Sequence, residues 1–398
     1  MDERVKFVAA YLGKEVSFSE LCARFGFSRK TGYKWVDRYE QGGVEDLAER
    51  SRAPHRHPHQ VSKEVVDAIL AVRSKHPRWG PRKLLVVLQR QRPGLALPVA
   101  STVGDILRKN GLVSRPRRRL RNSPYAERLR SYSAPNEVWC ADFKGHFPVG
   151  GKRCNPLTIS DGFSRYLLRC DALEHSLSDP VRRVFESAFR EYGIPNAIRT
   201  DNGPPFSSLA AGGLSRLAVW WIRLGIRPER IMPGRPDQNG RHERMHRTLK
   251  AETARPPRTS FRAQQRAFDH FQQEYNYVRP HEGLKLETPA SVYCPSSRAF
   301  PRRLTELEYP NHYRLERTYP NGVISLGAVQ WYLSNCLADE IVGLEEVGDE
   351  IWKVYFGPIE LGVLNARAAK ERGWRAFGKL VRTDGEITRS RRRRRLRR

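Results

Sequence analysis

Three acidic side chains sit where a carboxylate is costly without a partner. Asp142 lies inside the apolar run Trp139-Cys140-Ala141-Asp142-Phe143. Burial there carries a desolvation cost unless a cation compensates it. Asp201 follows Ala197 to Thr200, which reads as a short buried strand, and precedes Asn202-Gly203. The carboxyl end of a strand is a favoured place for a site in an α/β fold. Glu243 falls in a helical stretch whose start is marked by Pro236 and Asn239-Gly240. Brought together, the three would offer hard oxygen ligands to two Mg²⁺ ions, with Mn²⁺ as a substitute. Such a pair activates a water or a 3′-hydroxyl on one side of a phosphodiester and steadies the leaving oxygen on the other. It also relieves the repulsion between three carboxylates and a polyanionic substrate. Arg247 and Lys250 follow Glu243 at four and seven residues, on the same helical face, and would point at that substrate. A solvated basic face has the same pattern.

Two other chemistries are weighed against this. His242-Glu243-Arg244-Met245-His246 matches the HExxH pattern of zinc proteases, with Glu243 as general base. That reading leaves Asp142 and Asp201 without a task and supplies no third zinc ligand. A DNA-binding regulator whose core no longer cuts is the non-enzymatic alternative, and the presence of all three carboxylates argues against it. His55, His57 and His59 alternate in a Pro/Arg-rich stretch with no cysteine or carboxylate cluster, so they read as solvated linker and not as a metal site.

The net charge is +29 over 398 residues, 72 Lys and Arg against 43 Asp and Glu. A polyanionic partner is implied, and nucleic acid is the commonest. A membrane surface is the rival, but the chain has no leading apolar stretch and no apolar run of bilayer length. The expectation is a cytoplasmic, nucleoid-associated protein with no membrane contact. Cys22, Cys140, Cys154, Cys170, Cys294 and Cys336 are scattered and form no CxxC pair. This argues for a reducing compartment and against a disulfide scaffold or structural zinc.

The elements that would position these residues separate into regions. Residues 1–49 read as helical, with Val5, Val8, Ala9 and Leu12 on one stripe. Ser17 to Glu20 is a capping-box start, Gly26 a stop, and Ser28 a cap for a basic third helix carrying Arg29, Lys30 and Lys34. Helix, Gly turn and basic helix form a helix-turn-helix layout, whose last helix enters the major groove. After a linker at 50–61, residues 62–121 repeat the pattern. Ser62 caps a helix through Arg73, Arg78 to Lys83 opens another, and Ser101 caps a third. Arg82, Lys83, Arg108 and Lys109 are its expected DNA contacts. Two such linked units can read an extended site. Arg115 to Arg121 is a basic connector suited to lie along phosphate.

Residues 135–298 change to α/β texture. Val138 to Phe147, Arg153 to Ser160 and Tyr166 to Leu173 read as strands, Asp179 to Tyr192 as a helix, and Ala197 to Thr200 as a strand. Leu214 to Leu224 is helical, Ile226 to Met232 a strand, and Gln238 to Thr253 and Phe261 to Tyr277 helices. That order is a ribonuclease H-like layer fold. Trp139, Trp220 and Trp221 read as packing residues and Asp161 as a turn residue. Residues 301–380 hold short strands with Gly turns, the pattern of a small β-barrel. Residues 381–398 form an Arg-rich tail.

The motifs V-W-C-A-D-F-K-G, T-D-N-G-P-P-F, P-D-Q-N-G-R-H-E-R-M-H-R-T-L-K and Y-N-Y-V-R-P-H-E-G-L resemble the integrase-core signatures of bacterial insertion-sequence DDE transposases, members of the retroviral-integrase superfamily. The resemblance covers Pro135 to Tyr293. It implies that Asp142, Asp201 and Glu243 are the metal-binding catalytic carboxylates. It implies 3′-end cleavage by hydrolysis and then transfer of the 3′ end into target DNA, with no covalent protein–DNA intermediate. It further implies that the Lys250 position contacts DNA ends and that a homo-oligomer pairs two ends. Forty-one residues separate Asp201 from Glu243, more than the family's usual spacing, and Asp237 stands at the shorter distance. The string N-G-x-x-E-R followed by T-L-K favours Glu243, with the Gly-rich stretch Ala210 to Gly213 absorbing the extra length. His281 matches the family, with core hydrogen bonding and DNA contact both open.

Overall fold

The computed structural model describes residues 2–49, 60–113, 132–208, 210–231, 240–327, 329–367 and 378–381. The alternating His55, His57 and His59, the Arg115 to Arg121 connector, Asp237 and the Arg389 to Arg398 tail lie outside the described residues. The chain divides into two compact units, Met1–Glu64 and Val65–Arg398.

In the first unit α1 (Asp2–Gly13), α2 (Phe18–Arg24) and α3 (Arg29–Gly42) lead into a 3-10 turn at Gly43–Leu47. Ser17 Oγ accepts from the Glu20 N–H at 3.4 Å, and Ser28 Oγ from the Thr31 N–H at 3.2 Å, so both expected caps form. Gly26 turns the chain between α2 and α3 at φ +68°. The stripe expected on α1 is rotated. Leu12 is 55% exposed, whereas Phe7 is fully buried beside Val8. The cause is aromatic: Phe18, Phe25 and Phe27 all meet Phe7 edge-on, and this cluster decides which face of α1 turns inward.

The second unit begins with three helices, α4 (Lys63–Lys75), α5 (Pro81–Gln91) and α6 (Ala100–Lys109). Pro81 opens α5 at its first turn behind Gly80. Ser101 does not cap α6. The helix starts one residue earlier, with extended Val99 at the N-cap and no side-chain cap bond, which places Ser101 within the first turn. Polar contacts tie these helices to the α/β core: His76 Nδ1 lies 3.1 Å from Glu274, and Arg90 3.1 Å from Glu287.

The core is a mixed sheet. β1 (Val138–Phe143), β2 (Phe147–Val149) and β4 (Leu167–Leu173) all pair antiparallel with β3 (Lys152–Asp161). β5 (Ala197–Thr200) runs parallel to β1, and β6 (Arg227–Arg230) parallel to β5. The first expected strand breaks in two, with Gly145 at φ +76° between the halves. α7 (Ser178–Tyr192) and α8 (Arg216–Arg223) cover one face, packing Phe185, Phe189, Trp220 and Trp221 on Trp139, Ala141, Leu157 and Ile159. α9 (Gly240–Thr253) and α10 (Phe261–Gln273) cover the other, with Met245, Leu249, Phe268 and Phe271 against Cys154, Leu167 and Cys170. A π-helical turn at Glu274–Val278 and the short α11 (Pro289–Val292) follow. Asp161 is 1% exposed and accepts from the Asn136 and Ser164 N–H groups at 2.7 Å each, closing the turn into β4.

The C-terminal region is two antiparallel-based sheets and not a closed barrel. One has the order β12 (Ile359–Asn365), β11 (Ile351–Phe356), β10 (Ile341–Gly348), β7 (Arg314–Arg317). The other has β13 (Gly378–Lys379), β9 (Val329–Tyr332), β8 (Val323–Leu326). Among the described residues a single bridge, Val363 to Val381, joins them, and β7 does not pair with β8. Closure is replaced by a helix of the core: Ala218, Val219 and Ile222 of α8 pack with Val342, Leu344, Val354 and Phe356.

Candidate active site

Strand alternation decides which face each residue of β1 serves. Trp139 and Ala141 point into the α7/α8 core, so Asp142 is sent toward α9. The parallel register pairs Val138 with Ala197 and Cys140 with Arg199. Carried two residues further, it sets Asp201 beside Asp142 at the strand ends. Asp201 Oδ1 accepts from the Gly203 N–H at 3.2 Å, which braces the turn after β5. Asn202 Nδ2 donates to the Ile231 carbonyl at 2.7 Å and ties that turn to the end of β6. Glu243 comes from the first turn of α9, on its exposed side.

The charges of Asp201 and Glu243 both act on Asp142. The Asp142 carboxyl is pushed up from 3.8 to about 7, first by burial, then by the charge of Asp201, and further by Glu243, while Lys144 opposes. A carboxylate held against two like charges in a half-dry site is under-compensated by the protein itself. That donor set, all oxygen and carrying excess negative charge, fits hard divalent cations.

On α9 the helical repeat separates two faces. His242, Met245, His246 and Leu249 are buried against the sheet, while Glu243, Arg244 and Arg247 are exposed and Lys250 is half-buried. The zinc-protease pattern therefore does not assemble. His242 Nε2 lies 2.7 Å from Thr158 Oγ1 and its Nδ1 2.9 Å from Ser160 Oγ, so both ring nitrogens are engaged. Glu243 projects from the other face. Instead, Asp142, His242 and His246 draw together, with ligand-type atoms within 4.8 Å of one another. Burial holds the His242 imidazole down to about 3 and the His246 imidazole well below the usual range, so both rings are neutral. The sequence reading weighed these histidines only as protease ligands. The signal for their actual setting is their four-residue spacing opposite a Thr158-x-Ser160 alternation on one strand face.

The expected DNA contacts divide. Arg29, Lys30 and Lys34 are exposed on α3, with Lys34 lying 5.0 Å over the Trp35 ring. Arg82 and Lys109 are exposed. Arg108 is exposed but paired with Asp105 on its own helix. Lys83 is not a free surface cation. It lines a cleft of about 660 Å³ together with Arg78, Arg165, Arg244, Arg247 and Arg279. Desolvation and then the Arg279 charge bring the Lys83 ammonium down to about 8. His281 lines the same cleft but is 7% exposed, held down to about 3 by burial and by Lys83, and its Nε2 lies 3.4 Å from the Tyr275 carbonyl. Its setting is that of a core residue.

Two models of an integrase core domain match residues 132–236 and 224–289. A helix-turn-helix domain matches residues 3–55 and a homeodomain-like domain residues 31–107. An IS407 insertion-element protein of Burkholderia multivorans is 29% identical over 237 residues, 58% of this chain and 82% of that protein. An IS476 insertion-element protein of Xanthomonas euvesicatoria is 29% identical over 251 residues, 61% of this chain and 69% of that one. A chain in the structure of the simian T-cell lymphotropic virus intasome in complex with PP2A regulatory subunit B56 gamma overlays 73% of this chain and 97% of its own, with TM-score 0.36 and 16% identity. Residues 132–289 thus carry an integrase core domain with helix-turn-helix domains ahead of it, and the chain is similar to insertion-element proteins.

Proposed function

We propose that the protein is a DNA transposase that cleaves the ends of its own element and joins the freed 3′ ends to target DNA. The observation that carries this reading is the setting of Asp142. Its carboxyl is raised by burial and by the charges of Asp201 and Glu243, at the adjoining ends of two parallel strands. Asp142, Asp201 and Glu243 would hold two Mg²⁺ ions, or Mn²⁺ in their place. Bound there, divalent cations supply the charge that activates the attacking oxygen and stabilises the leaving one.

The chain's own side chains orient the DNA. Arg247 and Lys250, on the Glu243 side of α9, would hold the strand whose bond is cut. In the first reaction a water oxygen attacks phosphorus and the P–O3′ bond breaks, leaving a 3′-hydroxyl on one side of the nick and a 5′-phosphate on the other. In the second, that 3′-hydroxyl attacks a target phosphorus and displaces the target's own 3′ oxygen. Arg29, Lys30 and Lys34 of α3 and Arg82 and Lys109 of the second helical unit would engage element-end DNA. A homo-oligomer would pair the two ends.

The test is incubation of the full chain with labelled DNA carrying the sequences that flank its reading frame, in Mg²⁺ and in EDTA. The expected product is a nick with a 3′-hydroxyl that appears only with the metal. A nick that persists in EDTA, or DNA binding with no nick in either condition, would overturn the proposal.

A further inference from the structure

Thr158 Oγ1 stands at the centre of a buried polar cluster beside Asp142. The β1–β3 register sets Thr158 directly across from Asp142. Its hydroxyl lies 3.1 Å from the Asp142 main-chain carbonyl, 2.7 Å from His242 Nε2 and 2.6 Å from His246 Nε2. Ser160 Oγ lies 2.9 Å from His242 Nδ1. The last named contact runs from His246 Nδ1 to Asp142 Oδ2 at 3.6 Å, too long for a hydrogen bond.

One assignment of protons satisfies all four hydrogen bonds. The Asp142 carbonyl can only accept, so Thr158 donates its single proton there. The two lone pairs left on Thr158 Oγ1 then accept from both Nε2–H groups. With its one ring proton on Nε2, each imidazole keeps a lone pair at Nδ1, and each is 3% exposed or less. His242 spends its lone pair on the Ser160 hydroxyl. His246 has no such donor among the described residues, and its Nδ1 lone pair faces the Asp142 carboxylate. Once Asp142 is ionised, two acceptors converge there, 3.6 Å apart. That is less than the sum of two metal–ligand distances of about 2.1 Å, so one cation can touch both.

We infer that His246 Nδ1 is a fourth protein ligand, placed to bind the same divalent ion as Asp142, and that Thr158, Ser160 and His242 fix its tautomer and aim. His242 is excluded as a ligand by the same accounting, although it belongs to the same cluster. The inference rests on the metal-binding reading above. A nitrogen donor makes the site softer than an all-oxygen one, so Mn²⁺ is favoured over Mg²⁺ more strongly than at a site of carboxylates alone. Losing such a ligand weakens Mn²⁺ binding by about 10-fold or more.

The experiment uses the full chain with Mn²⁺ as the probe and pulsed electron paramagnetic resonance as the readout. Wild-type protein is prepared once with ordinary histidine and once with histidine labelled with ¹⁵N at Nδ1 only. A directly bound nitrogen whose coupling changes from ¹⁴N to ¹⁵N on this labelling, and which is lost in His246→Phe but kept in His242→Gln, is the expected result. Labelling leaves the protein unaltered, so the first half stands even if a variant fails to fold. Bound Mn²⁺ with no nitrogen coupling, or a coupling that ignores the Nδ1 label, overturns this inference and leaves the carboxylate site intact. No bound Mn²⁺ at all overturns both.

Discussion

Asp142 is caught between its strand and its neighbours. The strand buries it, and Asp201 and Glu243 surround it with like charge, so its carboxyl rises from 3.8 to about 7. The native state therefore holds a proton that the unfolded chain releases near pH 4. Stability from this group is fully present below the unfolded value and is lost as pH rises through about 7. Metal-free protein is expected to lose melting temperature between about pH 4 and pH 7 on this account. Added Mg²⁺ is expected to restore it most at the upper end, where no proton has to be displaced. Thermal melts across that range, with and without Mg²⁺, check it; a melting point that climbs through the window without metal would contradict the assignment. At this scale the sequence was legible where a residue broke its local pattern. Asp142 in an apolar strand announced itself. His246 did not, because its role depends on Thr158 and on Asp142, both far from it in the chain and adjacent only once β1, β3 and α9 pack.

Elements were legible when their periodicity was local. The strand Ala197–Thr200 matches the sequence reading residue for residue. β7 had no such signal: Arg314-Leu315-Glu316-Arg317 shows no apolar alternation, and its place comes from pairing with β10. The closed barrel failed for a related reason, since closure is a question of which distant edges pair. For α9 the local pattern and the packing agree: one face buries His242, Met245, His246 and Leu249, and the other carries Glu243 and Arg247. Arg247→Ala and Lys250→Ala are therefore expected to weaken DNA binding uniformly across sequences. Each should reduce the steepness of log Kd against log salt by about 1. Unchanged slopes in both variants would mean that α9 presents its basic residues to solvent and not to phosphate.

The whole molecule carries a charge of +29, yet the corner around Asp142 is acidic. Under the proposed function, that contrast would gather a polyanion over the surface and leave metal to mediate at the bond to be cut. The basic cleft lined by Arg78, Lys83, Arg165, Arg244, Arg247 and Arg279 spans the second helical unit and the core. The outline of helix-turn-helix, α/β core and β-rich end was legible from changes in texture along the chain. The joins between regions were not, because the polar contacts that make them, such as His76 to Glu274, link residues nearly two hundred positions apart.

The measurement that tests the central claim most directly is single-turnover cutting and joining of element-end DNA by wild type, Asp201→Asn and Glu243→Gln, with DNA affinity measured in the same samples. The account predicts Mg²⁺-dependent cutting by wild type and a loss of about three decades in each variant, equivalent to about 4 kcal/mol of transition-state stabilisation. Affinity for the DNA should be retained in both. Full cutting by either variant would remove that carboxylate from the site and contradict the account.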